Sequence, residues 1–115
     1  MSSEEYRRAD RYDVPDTVQV VDTMTEAVVG RLGNISETGM LLIASTPLVD
    51  DALYQFRLEV DGDRGHVIEV GAHLLWQDRA SAAGQSWAGF RFIKVLDDHA
   101  QPLRHWLQSL AGAAD

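Results

Sequence analysis

Between Val14 and about Leu110 the apolar positions recur in a regular order. Two stretches carry the clearest period. Tyr54, Phe56, Leu58 and Val60 alternate with Gln55, Arg57 and Glu59. Ile68, Val70, Ala72, Leu74 and Trp76 alternate with Glu69, Gly71, His73, Leu75 and Gln77. Period two over this length predicts strands with one buried face. Asp61-Gly62-Asp63-Arg64-Gly65 lies between them as a turn, so the pair reads as a β-hairpin with a loop longer than the tight two-residue type. Residues 77–86 form the next loop. Trp87 to Ile93 is the last strand, with Ala88, Phe90 and Phe92 on one face.

The earlier strands are less regular. Thr17 to Val21 is rich in β-branched residues, which favours strand. Ala27 to Ser36 is a second candidate, loosened by Gly30 and Gly33. Gly39 opens the apolar run Met40 to Ile43, short enough for a buried strand, and Pro47 ends it. The period then changes. Leu96, Ala100, Leu103, Trp106, Leu107 and Leu110 fall at helical spacing. Asp97 or Asp98 is placed to cap this helix, Pro102 suits a first helical position, and Gly112 supplies a stop. Roughly five to seven strands and one helix predict an all-β fold, a mainly antiparallel barrel with a C-terminal α-helix, because closure removes exposed sheet edges. Phe56, Leu58, Ile68, Val70, Leu74, Phe90 and Phe92 are the expected core, and Trp76 shares their face. Residues 1–13 stand outside the pattern and read as a flexible arm containing arginines, followed by one domain over 14–112.

Composition narrows the function. The chain has 115 residues, 10 basic and 18 acidic, for a net charge of -8. That balance counts against binding DNA or RNA, which calls for a basic face. No cysteine is present, which excludes disulfides, a cysteine nucleophile and thiolate metal sites. No apolar run reaches the ~18–20 residues of a membrane span, and no apolar stretch follows the first arginines as in a signal peptide. A cytoplasmic protein without membrane insertion is expected.

Catalytic constellations are weak. His66 and His73 fall on opposite faces of one strand, and His99 and His105 are six apart, off a common helix face. Neither spacing is that of a metal site, so no metal is expected. Gly30, Gly33 and Gly39 lack both the phosphate-loop spacing and its lysine; the only lysine is Lys94. No enzyme is predicted.

Two polar elements stand out instead. Arg7 and Arg11 are four apart and share a side in an extended arm or in a helical turn. Their planar guanidiniums suit phosphate oxygens or the O6/N7 edge of guanine. Asn34-Ile35-Ser36-Glu37-Thr38-Gly39 forms the second element. Asn34 and Ser36, two apart on a strand, are expected on one face, with hydrogen-bonding groups matching a guanine edge.

The order Arg7-x-x-x-Arg11, then Asn34-x-Ser36-x-x-Gly39, resembles the two motifs of the PilZ domain family. Ala72 to Trp76 is similar to the family's strand ending in tryptophan, and Gly89-Phe90-Arg91-Phe92 to its late glycine-x-x-phenylalanine strand. The resemblance covers nearly the whole chain. It implies a six-stranded antiparallel β-barrel with a C-terminal helix. It also implies a non-enzymatic bacterial receptor for the second messenger cyclic di-GMP, with no cofactor, acting on an effector protein. By the same resemblance, Arg7 and Arg11 grip guanine edges and phosphates as the arm folds over the ligand, and Arg8 is a flanking contact. Asn34 and Ser36 meet guanine from the barrel wall, and Gly39 shapes the turn. Asn34 is the less usual alternative to aspartate, which implies a weaker acceptor for guanine. Two other classes compete with this reading: a PilZ-like adaptor that binds no cyclic di-GMP, and a small β-barrel nucleic-acid binder using Trp76, Trp87, Phe90 and Phe92 as stacking platforms. Intact motifs count against the first, and the core-facing positions of Trp76, Phe90 and Phe92 count against the second.

Overall fold

The computed structural model describes residues 11–14, 17–60, 67–79 and 84–113. Among the described residues seven strands run in chain order: β1 (Tyr12–Asp13), β2 (Gln19–Asp22), β3 (Ala27–Ile35), β4 (Gly39–Ala44), β5 (Leu53–Glu59), β6 (Val67–Arg79) and β7 (Ser86–Val95). All pairings are antiparallel. Six strands close in the order β3-β2-β5-β6-β7-β4, with β4 returning to β3. This is the six-stranded barrel expected from the sequence. The seventh strand has a simple cause. β3 has nine residues and β2 only four, so the end of β3 overhangs. β1 pairs there, Tyr12 with Ile35 and Asp13 with Asn34.

The barrel interior is filled by the alternating apolar residues. Phe56, Leu58, Ile68, Val70, Leu74 and Phe90 are buried. Phe56 and Phe90 meet edge to face, with ring centroids 5.1 Å apart. Tyr54 stacks on Phe56 at 5.2 Å, and its hydroxyl accepts from the Val49 N–H at 2.9 Å. Phe92, expected in the core, is only half-buried at its margin.

A 3₁₀ turn (Asp97–His99) leads into α1 (Ala100–Ala113). The helix begins two residues before Pro102, whose missing N–H falls in the first turn, where no intrahelical bond is lost. Leu103, Leu107 and Leu110, at i, i+4 and i+7, are buried on the face that joins the core. Two bonds fix the helix entry on β6. The Leu96 N–H donates to the Glu69 carbonyl at 3.1 Å, and the Glu69 N–H donates to His99 Nδ1 at 2.8 Å.

Across the β2–β3 hairpin, Arg57 on β5 holds Glu26 through two hydrogen bonds of 2.7 and 3.2 Å. These bonds hold the Glu26 carboxyl below its ordinary range and raise the Arg57 guanidinium. A depressed carboxylate stabilises the fold above its unfolded pKa, and the effect is lost as pH falls through the folded value. Glu26 is exposed and Arg57 half-buried, so solvent screens the pair and its contribution is small.

Core truncation tests this assignment. Phe56→Ala and Phe90→Ala are each expected to cost about 3–5 kcal/mol in urea unfolding. A loss under about 0.5 kcal/mol at both would show that the wrong face had been assigned to the interior.

Candidate ligand-binding site

Three local irregularities decide which side chains face the outer wall. In the β3–β4 ladder Leu32 pairs with Leu42, but Asn34 pairs with Leu41, so Gly33 is an extra residue. Strict alternation from the buried Leu32 would turn Asn34 inward. The bulge restores it to the outer face beside Leu41 and leaves Ile35 buried. In the β6–β7 ladder Leu74 pairs with Phe90 and Trp76 with Gly89, so Leu75 is extra. That bulge turns Trp76 outward. This corrects the core-facing expectation: Trp76 is 48% exposed. A further shift between Gly71 and Ala72 bypasses Ile93 and brings Phe92 opposite Ala72, near the barrel margin.

Arg11 and Asn34 are brought together. The Arg11 Nη1 donates to Asn34 Oδ1 at 2.9 Å, across 23 positions of sequence. β1 makes this possible by pairing next to Asn34. The two residues line one side of a cavity of about 450 Å³, completed by Leu41, Trp76, Asp78, Trp87 and Gly89. A second cleft of about 310 Å³ shares Asn34, Leu41 and Trp87 and is bounded by Asp13, Thr17, Arg31 and Ile43.

Ser36 occupies a different place. It follows the end of β3 and is fully buried. Its Oγ accepts from the Thr38 and Gly39 N–H groups, both at 3.2 Å, and lies 3.3 Å from the Gly39 carbonyl. The hydroxyl thus closes the β3–β4 turn and does not share the outer face with Asn34. Gly39 is required by close packing, since a Cβ there would collide with the Phe90 carbonyl oxygen. Arg7 and Arg8 lie outside the described residues.

The PilZ domain profile matches residues 5–109, a span that holds both polar motifs. The chain belongs to the PilZ domain family. Solved structures share the fold of this PilZ domain. The PilZ domain of YcgR from Escherichia coli, solved with c-di-GMP, is 20% identical at a TM-score of 0.67, covering 94% of this chain and 93% of that one. A YcgR crystal structure from the same organism, also in complex with c-di-GMP, is 22% identical at 0.72, covering 94% and 47%. The Bacillus subtilis inhibitor of motility MotI/DgrA is 15% identical at 0.71, covering 94% and 50%. This PilZ domain therefore spans about half the length of the last two chains. No curated protein sequence matches it.

Of the cavity residues, Asp78 was not singled out in the sequence, and Trp76 and Trp87 were singled out only as a core-facing residue and as stacking platforms of a nucleic-acid binder. One signal was present: Leu74-Leu75-Trp76 places three apolar residues in a row, which breaks strict alternation at the bulge. Among the described residues no helix is long and apolar enough to cross a membrane.

The turn offers a separate test. Ser36→Ala removes the acceptor of two N–H groups at a fully buried position and is expected to cost about 1–3 kcal/mol in denaturant unfolding. An unchanged unfolding midpoint would show that the hydroxyl does not hold this turn.

Proposed function

We propose that this PilZ domain is a non-enzymatic bacterial receptor for cyclic di-GMP. The observation that carries the reading is the Arg11–Asn34 hydrogen bond, which unites the two motifs at the edge of an outer-wall cavity. Family membership and the fold shared with c-di-GMP-bound YcgR support it. Arg11 takes guanine or phosphate oxygens, and Arg7, four residues earlier, joins it as the arm folds over the ligand. Asn34 keeps its amide N–H groups and a second lone pair for the base edge. Ser36 and Gly39 act through the turn that sets the end of β3, and Arg8 contributes a flanking charge.

Charge fits this ligand class. The chain is net acidic, so a long polyanion meets an unfavourable field, whereas a small dianion feels mainly the arginines beside it. No bond is broken. The output is an arm, residues 1–13, folded over the ligand from the point where β1 already seats Tyr12 and Asp13 on the barrel, and an altered surface read by an effector protein in the cytoplasm.

Calorimetric titration with cyclic di-GMP at one fixed salt concentration tests the reading. Each arginine supplies charge-assisted bonds worth roughly 1.5–3 kcal/mol. Arg7→Ala and Arg11→Ala are therefore each expected to weaken binding by about tenfold or more. Arg7→Lys should not restore it, because an ammonium cannot reproduce the planar fork. Arg8→Ala should do less. Unchanged affinity in both alanine variants would remove the site assignment. No binding by the folded wild type would leave the protein-adaptor reading in its place.

A further inference from the structure

α1 follows β7 directly and touches β1, so it packs at the barrel end where β3 and β7 finish. The opposite end carries the β2–β3 turn (residues 22–27) and the β4–β5 loop (residues 45–52). Their rim is apolar. Met24 is 82% exposed at the tip of the turn, Val49 is 67% exposed in the loop, and Leu53 is 69% exposed where the loop enters β5. Val28 is exposed beside them. Two bonds join these pieces: the Thr23 N–H donates to the Gln55 carbonyl at 3.0 Å, and the Ser45 N–H to the Val29 carbonyl at 2.8 Å. Single exposed apolar residues are ordinary, but several around one rim mark a surface that something covers.

Both connections are held stiff. The Met24 N–H donates to the Asp22 carboxylate at 2.8 Å, and the Glu26 N–H to the Asp22 carbonyl at 2.7 Å. In the loop the Ala52 N–H donates to the Val49 carbonyl at 3.2 Å, and the Leu74 N–H on β6 donates to the Ala52 carbonyl at 3.0 Å. The Gln77 amide donates to the Leu48 carbonyl at 3.1 Å and to the Asp50 carboxylate, and Asp51 pairs with His73. Among the described residues, Glu26 and Asp51 are the two non-glycine positions in the left-handed region, with φ of 60° and 64°. Backbone of this kind persists only where its surroundings over-determine it, and it gathers at functional sites. A loop that already fixes its apolar side chains loses little further freedom when a partner covers it.

We propose that this end of the barrel docks a basic amphipathic helix of a partner protein. The turn and the loop contain four acidic residues, Asp22, Glu26, Asp50 and Asp51, and no lysine or arginine. Arg57 answers Glu26; among the described residues the other three carboxylates meet no lysine or arginine. An apolar rim set among carboxylates complements leucine-type side chains flanked by lysine or arginine. It repels an anionic lipid surface and nucleic acid, and a second copy would bring like charges together. The hydrogen bonds above occupy the backbone of both connections. The partner is therefore read through its side chains, as an amphipathic helix is, and not by strand addition. Asn34 lies at the far end of β3 from Val28, and the rim is formed without ligand, so the proposal does not depend on the receptor reading.

An NMR titration of the whole isotope-labelled chain tests it. The probe is a synthetic leucine–lysine peptide with leucines at i, i+3, i+4 and i+7, beside a twin with glutamate in place of every lysine. The lysine peptide is expected to shift the amides of Met24, Val28, Val49 and Leu53, to weaken as salt is raised, and to bind about tenfold or more tightly than its twin. The double variant Val49→Ser/Leu53→Ser should weaken it about tenfold. Asp50→Asn/Asp51→Asn should weaken it several-fold, with asparagine tolerating the left-handed backbone at 51. Ile93→Ser, an exposed apolar site at the α1 end, should bind as the wild type does. These variants alter exposed side chains and should melt with the wild type; if one unfolds, the two peptides compared on the unaltered chain carry the test. Shifts centred on α1 or Ile93, or equal affinity for the two peptides, would overturn the proposal. So would a dimer in sedimentation, or binding to phosphatidylserine vesicles, that Val49→Ser/Leu53→Ser abolishes, because another occupant would then hold the surface.

Discussion

One extra residue in a strand moves every side chain beyond it to the opposite face. The outer wall of this barrel depends on that constraint twice. Gly33 is the extra residue on β3 and turns Asn34 out; Leu75 is the extra residue on β6 and turns Trp76 out. Without the first bulge, an amide would enter an apolar interior, where an unpaired polar group costs several kcal/mol on hydrocarbon scales, about 4–8. Without the second, an indole would have to fit beside Phe90 and Leu74, which already fill the core. The same two insertions that keep the interior apolar therefore build the cavity.

The remaining pieces follow from strand lengths. β2 ends before β3 does, so β1 occupies the vacant side of Asn34 and delivers Arg11 to it. Ser36 then closes the turn from inside, and Gly39 lets the chain approach β7 closely enough for the Thr38 carbonyl to accept from the Phe92 N–H at 2.8 Å. A polar motif that looks continuous in sequence is thus split by role. Asn34 faces the groove, while Ser36 and Gly39 hold the backbone that presents it.

Much of the fold was legible because period-two burial is a strong signal. Phe56, Leu58, Ile68 and Val70 point inward as alternation requires, and the leucines of α1 share one face as helical spacing requires. The limits of that legibility are equally specific. Alternation placed Trp76 in the core and put Asn34 and Ser36 on one face, because a bulge or a strand end is a local choice that periodicity does not register. The overhang of β3, which calls for β1, depends on relative strand lengths and is invisible until the register is known. Arg11 and Asn34 were legible as chemical types with family spacing. Their contact was not, since it arises from a pairing across 23 positions.

The most direct test of the central claim is an NMR titration that follows backbone amides and tryptophan indole N–H groups as cyclic di-GMP is added. The account predicts the largest shifts at Asn34, Leu41, Gly89 and the Trp76 indole, all on one outer wall. It predicts little change at Trp106 on α1 or at Arg57 on the opposite side of the barrel. Shifts centred on α1 or around Arg57, with the Trp76 indole unmoved, would contradict it.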